Sequence, residues 1–107
     1  MRRPAAAFLA LSGALAAAGC ARETASYEDG SPASRIAAIE RSCAEGRRSE
    51  IPSIVSNLSS DDAGVRMAAI AALRRMTGET LGYRFDDPVS DRQAAVARWA
   101  EWVRAHP

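Results

Sequence analysis

The sequence contains no lysine; all 14 of its basic residues are arginine. A GC-rich coding sequence gives the same bias, so the absence by itself asks for no structural role. There is one histidine, His106, and it has no second ligand or base close to it in sequence, which argues against a metal site and against acid–base catalysis. No glycine-rich phosphate loop and no nucleophile elbow occurs. No stretch alternates apolar and polar residues with period two, so no strand is expected. Acids and bases nearly cancel, at a net charge of +1. Charge alone therefore gives no reason for binding nucleic acid or anionic lipid. At 107 residues the chain has room for one domain at most.

Charge is absent from residues 5–18, and what stands there is apolar. Arg2 and Arg3 precede the run, which carries Phe8, Leu9, Leu11 and Leu15 and ends in Ala17-Ala18-Gly19-Cys20. Fourteen residues fall short of the roughly 20 that a helix needs to cross a bilayer, and they suit the apolar part of a secretory signal. Loss of residues 1–19 would remove two arginines and no acid, turning +1 into −1. Small residues before the cysteine fit a peptidase groove, and a thiol can carry a thioether-linked lipid. The segment resembles the lipobox of bacterial lipoproteins, with Ala17 where leucine is usual. That resemblance implies cleavage before Cys20 and acylation there, palmitate-type chains included. Two or more chains hold firmly to a membrane where one does not. Ala21 follows the cysteine where an aspartate would favour inner-membrane retention, so the expected address is the outer membrane, facing the periplasm. The alternative is a secreted soluble protein cut at Ala16-Ala17-Ala18. Cys20 and Cys43 would be the only possible disulfide, and the anchor leaves Cys43 single.

Residues 20–33 read as the lipidated N-terminus and a flexible tether. Tyr27 is the one large apolar side chain there and is expected to be solvated; Asp29-Gly30-Ser31-Pro32 is turn chemistry. Thirteen residues extend to about 45 Å at most.

The region 34–107 is predicted to be a single helical domain of about four helices. Ser34 is the expected first cap, with Ile36, Ile39 and Cys43 at helical spacing and Gly46 as the stop. A second helix follows Ser49, admits Pro52 in its first turn and carries the stripe Ile51, Ile54, Val55, Leu58. The third runs from an Asp62 cap to about Thr77, with Gly78 after it and Val65, Ala68, Ala69, Ala72, Leu73 and Met76 on one face. The fourth is expected to open with a Ser90–Gln93 capping box and to bury Val96, Trp99 and Val103.

Ile51-Pro52, Val55 and Leu58, then Ser60-Asp61-Asp62-Ala63-Gly64-Val65-Arg66, then Ala68-Ala69 and Ala72-Leu73, are similar to one HEAT repeat. The likeness extends over residues 35–106 through Thr77-Gly78, Gly82-Tyr83, Ala95, Trp99 and Trp102. It implies a short α-α superhelix of the armadillo-like helical kind, in which Asp62 caps the second helix of the pair. Arg66 would brace the inter-repeat turn through acid or carbonyl contacts. The first and fourth helices would act as caps. An unrelated four-helix bundle shares the periodicity.

Cys43 sits on an apolar stripe and reads as a small core residue. Asp61-Asp62 and Asp86-Asp87 lack the spacing of a calcium loop and read as caps and solvated turns. Arg98, Glu101 and Arg104 have the spacing of helix-surface pairs, and Arg74-Arg75 reads as a solvated face. Tyr83, Phe85, Trp99 and Trp102 hold most of the aromatic area. They either close a small core at the end of the domain or expose one tryptophan as an interface anchor, and they are the candidate partner-binding residues. The expected function is a membrane-anchored scaffold that holds a periplasmic or envelope protein, with no enzyme activity, cofactor, metal, nucleic acid or small-molecule substrate. The alternatives are a structural envelope-maintenance lipoprotein and, further off, an enzyme like the helical-repeat lyases and glycosylases.

Overall fold

In a computed structural model of the chain, residues 25–28 and 30–107 are described. The expected signal segment and Cys20 lie outside them. Among the described residues all regular structure is helical: α1 (Pro32–Ala44), α2 (Ile51–Ser56), α3 (Ala63–Thr77) and α4 (Val89–Ala105). One-turn 3₁₀ segments, Arg48–Glu50 and Asn57–Ser59, flank α2. The all-α expectation holds, and no helix among the described residues is long and apolar enough to cross a membrane.

Two helix starts differ from expectation. The cap of α1 is Ser31, whose side chain accepts from Ser34 N, and Pro32 opens the helix. Proline suits that position because its φ is already helical and it has no N–H to satisfy. Ser34 is therefore buried inside the first turn. Likewise α4 starts at Val89, one residue before the expected capping box, with Pro88 in the cap position and no side-chain cap. Its first turn is supported by Pro88 O, which accepts from Arg92 N at 3.0 Å, and by the negative charge of Asp91 near the helix's positive end. α3 has the expected ends. Asp62 Oδ1 accepts from Val65 N at 2.9 Å, and Gly78 turns the chain out at φ 80°, a conformation that costs glycine little.

α1 packs on α3, α3 on α2 and its following turn, and these in turn on α4. Each member of the central pair α2/α3 is thus covered by one flanking helix. Ala38, Ala69 and Ala72 are buried on α1 and α3, and their small side chains let the two backbones approach. Ile39, Ile54, Leu58 and Leu73 fill the core with no exposed surface. Each contributes about 1.5–3 kcal/mol by leaving water.

Tyr27 is not solvated. It is half-buried against the core, its hydroxyl 2.5 Å from Ser42 Oγ and 3.2 Å from Ala38 O. Ser26 N donates to Ser34 O at 3.1 Å alongside it. A phenol can cover apolar surface while its hydroxyl finds acceptors at the edge, which turn chemistry around it did not reveal.

The loop between α3 and α4 makes a tight left-handed turn at Leu81 (φ 52°) and Gly82 (φ 75°). Arg98 from α4 holds it, donating through Nε to Leu81 O at 2.7 Å. The positive φ favours glycine at position 82, where a Cβ would otherwise meet only the end of the Arg98 side chain, 2.9 Å away.

Candidate functional site

The helix pair and the loop after it are tied together by Arg66. Its Nε donates to Phe85 O at 3.1 Å, and its Nη1 to Ser60 O at 2.9 Å and Asp61 O at 3.0 Å. All three acceptors are carbonyls, while the carboxylate of Asp62 is occupied in capping α3. The guanidinium spans the α2–α3 turn and the α3–α4 loop, a geometry that a single ammonium would not reproduce.

The four aromatic candidates divide. Trp99 has no exposed surface and its Nε1 donates to Thr80 O at 3.0 Å. Tyr83 is buried and its hydroxyl donates to Leu58 O at 2.7 Å. Burial pushes the Tyr83 phenol up from its ordinary value of 10.0, against the pull of the nearby Arg66 and Arg92 cations. These two residues close the end of the core; Trp99 is sealed there, while Tyr83 keeps only a small edge in the cleft beside Phe85. Trp102 and Phe85 remain half-buried, on different surfaces.

Trp102 meets Trp99 in a tilted pair, centroids 5.7 Å apart, and is stacked by His106 at 3.9 Å with 10° between the rings. His106 Nδ1 lies 2.7 Å from Trp102 O, so the imidazole is fixed at both ring and backbone. The held indole walls a cleft of about 580 Å³ with Ile51, Pro52 and Val103, bordered by Arg48 and Ser49. Arg48 is itself held, Nη1 donating to Met76 O at 3.0 Å. Phe85 lines a shallower cleft of about 380 Å³ beside Ile70 and the exposed Met67.

The other candidates have structural surroundings. Cys43 is half-buried with Sγ 4.0 Å from Ala72 O. Asp86 and Asp87 lie 3.7 and 3.8 Å from Arg84. Arg104 pairs with Glu101, whereas Arg98 turns to the loop carbonyl in place of the expected pairing. Among the described residues no three His, Cys, Asp or Glu side chains converge as metal ligands. Arg48 was not among the sequence candidates; only folding sets it beside Trp102. The chain matches no protein-family model, no curated protein and no solved structure.

Proposed function

We propose that the chain is a lipid-anchored protein-interaction module of the bacterial envelope, held through Cys20 and presenting a HEAT-like helical unit. The observation that carries the reading is Ala17-Ala18-Gly19-Cys20, placed at the end of a charge-free run and seven residues before Tyr27, which docks on α1. The arrangement in which α1 covers α3 and α4 covers α2 supports the view of a repeat pair with a cap on each side. The Arg66 contacts support the same view, since they join successive turns as the resemblance implies. Trp102 is the residue we assign to the partner face. It combines a held aromatic ring with remaining exposure beside a cleft, the character of an interface anchor.

Proximity cross-linking from intact envelopes tests this reading. A specific envelope protein should be captured by the wild-type chain and lost with Trp102→Ala. Capture of no specific protein, or the same capture by the variant, counts against it.

A further inference from the structure

We infer that α3 pairs antiparallel with α3 of a second copy of the chain, through the face that carries Met67, Ile70 and Ala71. The helix has two apolar faces. Val65, Ala69, Ala72 and Leu73 are buried against α1 and α2. On the opposite side stand Met67, Ile70, Ala71 and Arg74, at the spacing i, i+3, i+4 and i+7. Ile70 is half-buried, Ala71 is exposed and Met67 is 52% exposed, so this second stripe is left at the surface. No charge falls between Arg66 and Arg74. Phe85 widens the stripe, because Arg66 Nε binds its carbonyl at 3.1 Å and its half-buried ring lines the same cleft. The chain itself covers only one of the two faces.

The charges at the ends of the stripe say what fits it. Arg66 gathers acids at the N-terminal end: its bonds to Asp61 O and Phe85 O bring Asp61, Asp62, Asp86 and Asp87 there, against the charges of Arg66 and Arg84. Two turns on, Arg74 and Arg75 make the other end basic, with Glu79 beyond them. Arg74 enters no ion pair among the described residues, and it lines the cleft at the end away from Asp86. Asp86 is held only loosely, 3.7 Å from an Arg84 that is itself exposed, so it can take a second cation. A patch that is acidic at one end, apolar in the middle and basic at the other complements itself after a half-turn. Arg74 of each copy then meets Asp86 of the other, and the helix dipoles oppose. Ala71, at the centre, lets the two backbones approach. The pairing rests on the fold alone and uses neither Cys20 nor the Trp102 face.

The test is photo-cross-linking in intact cells of the full chain carrying a benzophenone side chain at position 67, read by mass spectrometry. The expected product is two copies of this chain, joined from position 67 to α3 or to the loop around Phe85. The same group at position 97, on the exposed side of α4, should give little of it. Arg74→Glu should lower the yield about fivefold or more, and adding Asp86→Arg should restore it. Helical circular dichroism of the purified variants should match the parent, since neither side chain is buried. A product with a different protein, no product, or an equal yield from position 97 would overturn the pairing. So would a charge reversal that changes nothing or is not rescued by its complement. None of these results touches capture through Trp102, so the two readings fail separately.

Discussion

The Tyr27 hydroxyl and the Ser42 hydroxyl are hydrogen-bonded at 2.5 Å, and Ser42 in turn donates to the carboxylate of Glu50. A carboxylate only accepts, so the Ser42 proton goes to Glu50 and Ser42 receives the proton of Tyr27. Ala38 O lies 3.2 Å from the phenol as a second acceptor. The end of the expected tether is therefore bound to α1, and through Glu50 to the short turn whose neighbouring residues, Arg48 and Ser49, border the Trp102 cleft. On the anchor reading, the chain from Cys20 to Ser26 can then span about 20 Å at most, in place of the 45 Å expected for residues 21–33.

Tyr27→Phe keeps the ring and removes the hydroxyl. One net hydrogen bond is worth about 1 kcal/mol, so thermal unfolding followed by circular dichroism should shift down by about 4–8 °C. Tyr27→Ala should shift it further by exposing the surface the ring covers. Unchanged melting in both variants would mean that residues 26–27 are not docked.

The same chain of bonds sets an acid response. The Ser42 hydroxyl holds Glu50 below its ordinary value of 4.5, so the ionised form is favoured by folding. Its contribution is present above pH 4.5 and is lost as pH falls from there through the folded value. Glu50→Gln keeps an acceptor but cannot titrate. Its melting temperature should therefore fall less between pH 6 and pH 3 than that of the wild type, and equal falls would count against the contact.

Trp99 and Trp102 should separate in mutagenesis although they lie three residues apart. Trp99→Ala leaves a cavity in the sealed core and an unpaired Thr80 carbonyl, at about 3–5 kcal/mol, a large share of a small domain's stability. Trp102→Ala removes a half-buried ring at the cleft and should leave a folded chain. Urea unfolding of the two variants distinguishes them.

Arg66→Lys keeps the charge and loses the fork that reaches three carbonyls. A loss of about 2 kcal/mol is expected, with the loop around Phe85 showing faster amide exchange than α1. Uniform exchange would place the role of Arg66 elsewhere.

Much of this fold was legible because apolar spacing and end residues agree. Asp62 and Gly78 bound α3 where cap chemistry sets them, and the predicted stripes of the second and third helices supply most of the core, with Ala68 and Met76 at its edge. The errors came where two signals competed. Ser34 and Ser90 are acceptable caps, yet Pro32 and Pro88 fix the chain geometry earlier and draw both serines into first turns. Tyr27 was hidden because its partners Ala38, Ser42 and Glu50 are 11 to 23 positions away, beyond any local pattern. At the candidate site, helical spacing set Trp99 on the buried face but left open how far Trp102 is covered. That depended on Thr80 and His106, which only the folded loop and the last turn supply.

The central claim is an anchor at Cys20 carrying this helical unit at the envelope, and intact-mass measurement of the protein purified from native envelopes tests it most directly. The expected species begins at Cys20, lacks residues 1–19 and carries the added mass of thioether-linked diacylglycerol, with Cys20→Ser abolishing both changes. A chain that retains residues 1–19, or begins elsewhere with an unmodified Cys20, would contradict the account.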